Sequence, residues 1–360
     1  MTKSAYVHVP FCRSICAYCD FARTTYQTTL IGPWLTQLKK EAMEKINGSL
    51  QTLYIGGGTP NALSYQELDA LLSIFDPFYR TTMEYTMEVN PELLDAEIAS
   101  ICAYHGVNRI SMGVQSFDDQ LLKMMNRHHR SDQVLEKLKI LIAAGIQNLS
   151  IDLIYGLPGQ TLAMWKKDLM HAVSLPIQHI SLYSLTIEEN SVFGKRGIQK
   201  ADDEIEYLMY AEAIKYLEKH GFKQYEIANF AKNGACSRHN LTYWQYEDFY
   251  GIGCGASGKT ALGRYDNTRS LNCYLKDGPC PEWTKLNDEE QMFEMVMMGL
   301  RLNRGISLDA FEQRYHIPLT KQFEDAIQKH LGNDLIIEEG YLHTTEKGKF
   351  LLHEILIDFL

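Results

Sequence analysis

The stretch YVHVPFCRSICAYCD, residues 6–20, places three cysteines directly after a short β-rich run, with the spacing C-x3-C-x2-C. Three thiolates on one loop are soft ligands that can converge on one face of a compact iron–sulfur cube. Three ligands for four irons leave one iron open, and a small molecule can coordinate it. The loop therefore predicts a [4Fe–4S] cluster bound by Cys12, Cys16 and Cys19.

A structural zinc site is the main alternative for these thiols, because zinc also binds cysteine. Such a site needs a fourth Cys or His close by, and the nearest candidate, His8, lies on the strand before the loop. The chain has eight cysteines and no secretory signal pattern, so metal or redox chemistry is expected rather than a disulfide framework. The other five are scattered and are interpreted as ordinary thiols: Cys102, Cys236, Cys254, Cys273 and Cys280.

The composition is that of a packed globular protein of 360 residues, 45% of them hydrophobic and 22% charged. The formal net charge of -10 disfavours nonspecific binding to nucleic acid or anionic lipid, which depends on cationic side chains. No N-terminal stretch combines a basic segment with an apolar run and a cleavage site. We therefore expect a cytoplasmic protein that acts on small molecules.

Short β-rich runs alternate with longer helical patterns over the first two thirds of the chain, which is typical of repeated βα units around a parallel sheet. The predicted strands are residues 4–9, 52–55, 85–89, 109–112, 149–154 and 179–182. Apolar residues recur at intervals of three and four in the predicted helices, residues 35–46, 66–75, 96–105, 134–144, 162–173 and 204–220. This order predicts an α/β fold, an incomplete (β/α)6 barrel or a curved open sheet.

The C-terminal part has a different pattern, in which helices precede a hairpin across Glu339-Gly340 and a last helix follows. It predicts a small winged-helix-like α+β domain over residues 289–360, with the barrel over 1–230 and a connecting, largely irregular segment over 231–288. Residues 291–360 contain seven Lys and Arg against eleven Asp and Glu, so we predict no nucleic-acid binding. The methionine run at 295, 297 and 298 is interpreted as helix core.

Polar residues and glycines cluster at the ends of the predicted strands, the edge at which α/β folds bind ligands. The run GGGTP at 56–60 follows the second strand, where glycines let the backbone approach a ligand, although a tight turn explains the same run. Glu88 ends the third strand and can accept hydrogen bonds from ribose hydroxyls. Gln115, Arg127 and Asp152 lie in or after later strands. Each is either a ligand contact or a solvated polar group, and Arg127 can pair with a carboxylate.

Taken in order, these motifs resemble the radical S-adenosylmethionine (SAM) family that contains oxygen-independent coproporphyrinogen III oxidase. The resemblance covers essentially the whole chain and rests on the cysteine loop, GGGTP at 56–60, EVNP at 88–91, GVQS at 113–116 and DLIYGLP at 152–158. It implies a radical SAM barrel in which the open iron takes the amino and carboxylate groups of SAM. One electron would then cleave SAM to methionine and a 5′-deoxyadenosyl radical. The residues that match the family's SAM contacts are Tyr6, Gly57, Gly58, Thr59, Glu88, Gln115, Arg127 and Asp152.

Within that family, the sequence departs from the oxidases and resembles the HemW-type proteins, which are regarded as heme chaperones. The oxidases have a fourth cysteine two positions after the third, where this sequence has Phe21, and a long extension before the cluster that is absent here. The segment HNLTYW at 239–244 matches the H-N-x-x-Y-W motif of the HemW-type group. The segment YGIGCGA at 250–256 follows as it does there.

The motif makes His239 and Tyr243 candidate heme ligands, since imidazole and phenolate each serve as axial ligands of heme iron. If the segment is helical, the i, i+4 spacing puts both side chains on one face beside Trp244. In the alternative interpretation, His239 hydrogen-bonds within the core, and Tyr243 and Trp244 simply pack. We hypothesise that His239 contributes to heme binding.

The resemblance implies a heme chaperone with a [4Fe–4S] cluster, SAM and heme, which hands heme to acceptor proteins such as respiratory enzymes. It also suggests an electron donor such as flavodoxin or ferredoxin, a homodimer and a peripheral contact with the membrane. The alternative is an enzyme, an oxygen-independent coproporphyrinogen III oxidase or a related radical SAM tetrapyrrole enzyme. In that case the radical would abstract a hydrogen from each reacting propionate before carbon dioxide is lost. No catalytic residue is assigned.

Overall fold

The computed structural model describes residues 2–360, and its centre is a nine-stranded sheet. All six predicted strands are confirmed, and each pairs in parallel with the next along the chain. Their side chains alternate, so that Leu53 and Ile55 are buried against helices while Tyr54 points to the other face of the sheet. The strands are Ser4–Val9, Thr52–Gly57, Glu84–Val89, Arg109–Gln115, Asn148–Tyr155 and His179–Ser184.

The crossover helices also lie where the apolar periodicity predicts them, and several begin at a capping side chain. Ser64 and Glu67 form a capping box, and Asp95 and Thr161 each accept a hydrogen bond from the first turn of their helix. The helices are Thr28–Lys45, Tyr65–Ser73, Ala96–Tyr104, Asp119–Met124, Val134–Ala143, Leu162–Ser174, Val192–Lys195 and Asp203–Lys219. Single 3-10 turns occur at Pro60–Ala62, Asp76–Phe78, Pro91–Leu93 and Ser131–Gln133.

The sheet does not close on itself, so the barrel is incomplete, as predicted. One edge is the strand Tyr250–Ile252, which pairs in parallel with Ser4–Val9. At the other edge, Asn229–Ala231 pairs antiparallel with His179–Ser184, and Lys223–Gln224 follows outside it. Between these two strands the chain reverses around Glu226, which forms an isolated antiparallel bridge with Leu302.

The prediction that residues 231–288 are largely irregular was wrong. This segment contains the helix Arg238–Trp244, the sheet strand Tyr250–Ile252 and the helix Leu271–Asp277. It also forms a small antiparallel sheet of Ser257–Thr260, Gly263–Asp266 and Glu282–Thr284. Strands of three or four residues carry too little alternation to be recognised from a sequence.

The C-terminal region packs helices around a three-stranded sheet, in agreement with the predicted α+β domain. The hairpin Leu335–Glu338 and Tyr341–Thr344 turns at Glu339 and Gly340, which both have positive φ. The short strand Ile306–Ser307 completes the sheet. The helices are Asp288–Gly299, Leu308–Tyr315, Leu319–Gln322, Glu324–His330, Glu346–Phe350 and Leu352–Ile357.

Three apolar clusters hold these parts together. The largest lies between the nine-stranded sheet and its helices, and a second fills the C-terminal domain. A third, smaller cluster includes Ala17 of the cysteine loop together with Leu121, Met125, Leu157 and Phe193. The cysteine loop is therefore packed against the body of the protein. Within residues 2–360, no helix is both long and apolar enough to cross a bilayer.

Candidate functional site

A cavity of about 1170 Å³ lies at the carboxyl ends of the parallel strands and continues into the barrel interior. This is the edge at which (β/α) barrels bind their ligands. All three residues of the cysteine motif line it, and so do all eight residues assigned to SAM contacts. The fold therefore gathers, around one space, residues that are separated by up to 146 positions in the sequence, Tyr6 to Asp152.

Backbone hydrogen bonds fix the cysteine loop at both ends. The short strand Phe11–Cys12 pairs with Thr24–Thr25, and the amide of Tyr26 donates to the carbonyl of Cys12 over 2.9 Å. In the middle, the Ala17 amide donates to the Met125 carbonyl over 2.9 Å. The loop thus has a defined shape, as a preorganised metal ligand set requires.

The thiol groups of the loop have polar neighbours that suit a bound thiolate. Thr59 Oγ1 donates to Cys12 Sγ over 3.6 Å, and a guanidinium nitrogen of Arg127 lies 3.5 Å from Cys16 Sγ. Burial raises the pKa of the Cys12 thiol to about 11 and also raises the pKa of Cys19. Because a metal binds the thiolate, uptake must release protons from these two groups.

The donor set fits an iron–sulfur cluster better than a single zinc ion. Within residues 2–360, no three His, Cys, Asp or Glu side chains converge closely enough to hold one metal ion, whereas a cube takes each thiolate on a separate iron. His8, the nearest fourth ligand considered for zinc, is already engaged at both ring nitrogens. Its Nδ1 lies 3.0 Å from the Tyr6 hydroxyl and its Nε2 lies 2.6 Å from the Ala22 carbonyl.

The glycine run brings backbone to the cavity surface where a side chain would not fit. Gly57 has a φ of +108°, and a Cβ there would lie 2.5 Å from the His8 ring. A Cβ on Gly58 would lie 2.7 Å from the Val9 carbonyl oxygen, 2.9 Å from that of Phe11 and 3.0 Å from Cys12 Sγ. The run is thus more than a tight turn, because it lets the second strand approach the cysteine loop.

Two carboxyl groups face the barrel interior. Glu88 accepts hydrogen bonds from the Tyr54 hydroxyl over 2.7 Å and from the Gly57 amide over 3.1 Å. Asp152 accepts from the Ser111 hydroxyl over 3.0 Å. Desolvation raises the pKa of both groups, and that of Glu88 reaches about 7. With this pKa, the Glu88 carboxyl can donate to or accept from a ribose hydroxyl near neutral pH.

The raised pKa of Glu88 makes the stability of the ligand-free protein depend on pH. In the unfolded chain this carboxyl ionises near its ordinary pKa of 4.5, whereas in the folded chain it stays protonated to about pH 7. Rising pH therefore lowers the free energy of unfolding between pH 4.5 and about pH 7, and this loss of stability stays constant at higher pH. We expect Glu88→Gln to gain about 3 kcal/mol over the wild-type protein between pH 4.5 and pH 8.

Urea unfolding of both proteins at pH 5, 6, 7 and 8 measures this difference. The glutamine substitution keeps the size of the side chain but replaces one of its two acceptor oxygens by an amide donor. A pH-independent change in the free energy of unfolding therefore reports packing and this lost acceptor, and only the pH-dependent part reports the titration. Two curves that stay parallel over the whole range would contradict the assigned titration of Glu88.

Gln115 and Arg127 occupy a distorted part of the sheet. Gln115 has a φ of +68°, and the register with the next strand shifts between Gly113 and Gln115. The Arg127 guanidinium donates to the Gly113 carbonyl, and its second neighbour is Cys16. Glu92 forms a long ion pair with the guanidinium, at 3.9 Å, which is beyond hydrogen-bond distance. The charge of the guanidinium is therefore available to an anionic group in the cavity.

The H-N-x-x-Y-W segment is helical, Arg238–Trp244, and its side chains differ in access to the cavity. Tyr243 and Trp244 line the cavity, but His239 does not and is 1% exposed. His239 Nδ1 lies 2.8 Å from Thr52 Oγ1, and its Nε2 lies 2.7 Å from the Tyr243 hydroxyl. This arrangement corresponds to the alternative in which His239 hydrogen-bonds within the core, since neither nitrogen is free to coordinate iron.

Sequence reasoning missed the residues that form the outer wall of the cavity. The interpretation of the methionine run as helix core holds for Met295, and Met297 and Met298 are partly buried against the same core but also line the cavity. They belong to the C-terminal helix Asp288–Gly299, so both parts of the chain contribute to the site. Only the position of that helix reveals this, because a helix face at a cavity and one in a core have the same apolar pattern. Trp244 of the HNLTYW motif lies on this wall as well, and the other residues that the sequence did not indicate are Tyr246, Phe249, Lys259 and Arg264.

Comparison with known proteins gives consistent results along the whole chain. The family model described as "Radical SAM superfamily" matches residues 6–172, and that described as "HemN C-terminal domain" matches residues 286–351. Proteins named "Heme chaperone HemW" are similar over nearly their full length. The one from Lactococcus lactis is 37% identical over 99% of this chain and 97% of its own, and that from Bacillus subtilis is 35% identical over 98% and 96%.

Among solved structures, the chain is similar to coproporphyrinogen III oxidase (HemN) from Escherichia coli, a radical SAM enzyme. The TM-score is 0.85 over 99% of this chain and 90% of that chain. The two sequences are 20% identical, so this likeness concerns the fold.

Proposed function

The chain belongs to the HemW family of radical SAM proteins, and from this premise we propose that it is a heme chaperone that binds a [4Fe–4S] cluster, SAM and heme. The observation that carries the proposal is the single cavity that joins the cysteine loop, the polar residues of the barrel interior and the outer wall, part of which is apolar. Its volume of 1170 Å³ exceeds the range of roughly 300–1000 Å³ that is usual for one small ligand. There is room for a second bound molecule.

The residues divide the cavity into two chemical environments. Near the strand ends, Cys12, Cys16 and Cys19 would hold the cluster, which together with SAM supplies one-electron chemistry when bound. Toward the C-terminal domain, Trp244, Phe249, Met297 and Met298 offer an apolar surface suited to a flat tetrapyrrole. We place SAM in the first environment and heme in the second.

Around SAM, each side chain would have a separate task. The backbone of Gly57 and Gly58 would approach the methionyl group, and Arg127 would pair with its carboxylate. Glu88 would bind the ribose hydroxyls, as its two donors already orient both oxygens. Tyr6, Thr59, Gln115 and Asp152 complete the surrounding surface.

The proposal extends to partners and place of action. A chaperone must release its heme, so we propose acceptor proteins such as respiratory enzymes, and an electron donor such as flavodoxin or ferredoxin for the cluster. All eight cysteines are free thiols, which suits the reducing cytoplasm. A homodimer and a peripheral membrane contact belong to the same proposal.

The shared fold keeps an oxygen-independent coproporphyrinogen III oxidase or a related tetrapyrrole enzyme as a second candidate. Anaerobically reconstituted protein separates the two. A chaperone binds about one hemin per chain, passes it to an apo-hemoprotein, and leaves coproporphyrinogen III unchanged while SAM is present. Catalytic formation of protoporphyrinogen IX would overturn the chaperone proposal, and 5′-deoxyadenosine measured in the same sample reports whether SAM is cleaved.

The apolar wall provides a specific test of where heme binds. We expect Met297→Lys to weaken hemin binding about tenfold or more, because a heme against this wall would bury the new charge. Met170→Lys is the matched control, since Met170 is 56% exposed on the helix Leu162–Ser174 and lies outside the cavity. Equal hemin affinity in both variants, measured by absorbance titration, would move the heme site away from this wall.

A further inference from the structure

The helix Arg238–Trp244 lies at the amino ends of two central strands, opposite the edge that carries the cysteine loop. The amides of Arg238 and His239 each donate to the carboxylate of Glu84 over 2.9 Å. Glu84 begins its strand, and so does Thr52, which hydrogen-bonds to the His239 ring. The helix therefore closes the barrel interior at the amino ends of the strands, whereas the cysteines lie at the carboxyl ends.

The His239 ring is held in a single state. Burial lowers the pKa of His239 to about 3, so the ring is neutral, with one donor nitrogen and one acceptor nitrogen. Thr52 engages Nδ1 and Tyr243 engages Nε2, so that both capacities are used. A neutral, fully hydrogen-bonded imidazole beneath the cavity surface has the properties of a supporting group rather than of a ligand.

The ring also supports a third side chain, Tyr54. The two rings stack with centroids 5.2 Å apart and an interplanar angle of 29°. The ring of Tyr54 also pairs with the aromatic ring of Tyr6, at a centroid distance of 6.1 Å. Tyr54 ends in the hydroxyl that donates to Glu88 over 2.7 Å. His239 is therefore connected to Glu88 by one stacked pair and one hydrogen bond.

We infer that His239 is a positioning residue for the SAM site, which acts through Tyr54 on Glu88, and that it is not a ligand of heme iron. The inference rests on the proposed function, in which Glu88 binds the ribose of SAM. The carboxylate of Glu88 has two donors, and the Tyr54 hydroxyl is one of them. If the ring of Tyr54 loses the surface against which it packs, this hydroxyl moves and the carboxylate turns away from the ribose.

Two substitutions at position 239 test this role against the ligand role. His239→Leu removes the flat ring and both polar contacts, so SAM should bind about fivefold more weakly to the reconstituted protein. His239→Gln supplies a planar amide that can lie against the Tyr54 ring and reach Thr52 and Tyr243, and it should restore SAM affinity to within about twofold of wild type. Equilibrium dialysis under anaerobic conditions measures both affinities. Iron content and thermal unfolding establish that each variant is folded and loaded.

The absorption spectrum of bound heme gives the opposing readout. An axial imidazole determines the spectrum of heme, so a ligand role predicts that both variants shift its maximum while SAM affinity stays unchanged. The positioning role predicts an unchanged maximum and weaker SAM binding in His239→Leu. A shifted heme spectrum together with wild-type SAM affinity would overturn the inference.

A double-mutant cycle tests the route through Tyr54. Tyr54→Phe keeps the ring and removes only the hydroxyl, so it should weaken SAM binding about tenfold. In that background, His239→Leu should add less than about twofold, because the connection to Glu88 is already broken. If the fold-losses of SAM affinity in the two single variants multiply in the double variant, His239 acts by another route. If wild-type reconstituted protein takes up no SAM at all, the proposed function fails before this inference is reached.

Discussion

Replacing Cys12 by alanine should abolish the iron–sulfur cluster, reducing iron from about four to less than about one per chain after anaerobic reconstitution. Cys12 lies 5% exposed at the start of the cysteine loop, fixed by the pairing of Phe11–Cys12 with Thr24–Thr25. Two remaining thiolates, Cys16 and Cys19, cannot hold a cube that needs three protein ligands. SAM binding should be lost with the cluster, because the amino and carboxylate groups of SAM would coordinate its open iron.

Cys280→Ala is the matched control for this substitution. Cys280 is an exposed free thiol that does not line the cavity, so its removal should leave iron, sulfide and SAM uptake unchanged. Iron and sulfide analysis, together with the visible absorbance of the cluster, measures the outcome. Full cluster content in Cys12→Ala would show that other residues bind the cluster. Stoichiometric zinc in the wild-type protein would favour the structural zinc alternative instead.

The barrel could be predicted from the sequence because its strands and helices carry strong local patterns. The strand Ser4–Val9 and the hairpin around Glu339 and Gly340 were predicted to the residue, since alternation and turn chemistry are local properties. The strand-end positions of Glu88 and Gln115 follow from the same order of elements. The cavity they share was therefore predictable as well.

The remaining part depends on packing between distant segments. The strand Tyr250–Ile252 has only three residues. It forms by pairing with the strand Ser4–Val9, which is about 240 positions earlier in the sequence. Tyr54 is one aromatic residue in an otherwise ordinary strand. The residues next to it in the sequence do not indicate that its hydroxyl donates a hydrogen bond to Glu88. The sequence motif makes His239 a candidate ligand, but it does not indicate at which end of the barrel the helix lies. That position is known only from the structure.

Gly58→Ala should have the second large effect, because it adds one methyl group where the second strand approaches the cysteine loop. The new Cβ would lie 2.7 Å from the Val9 carbonyl oxygen and 2.9 Å from that of Phe11. Both are backbone atoms, which cannot relieve the overlap by a change of side-chain rotamer. These two oxygens accept the hydrogen bonds of the Gly58 and Thr59 amides, over 2.7 and 2.9 Å. The substitution should therefore open both bonds and displace Cys12, at a cost of about 2 kcal/mol in the free energy of unfolding.

Cluster uptake should fall further than this stability loss alone requires, because the displaced thiol no longer matches the geometry of the other two. Gly32→Ala is the matched control, since its added Cβ has open space beyond its chain neighbours and helix backbone and the residue is exposed in the helix Thr28–Lys45. The higher helix propensity of alanine is opposed by Pro33, whose ring disfavours a Cβ on the preceding helical residue, so this variant should change the free energy of unfolding by less than about 1 kcal/mol and keep its cluster. Urea unfolding of the apoproteins and iron content after reconstitution separate the two effects. Wild-type iron content in Gly58→Ala would mean that the glycine run does not hold the cysteine loop in place.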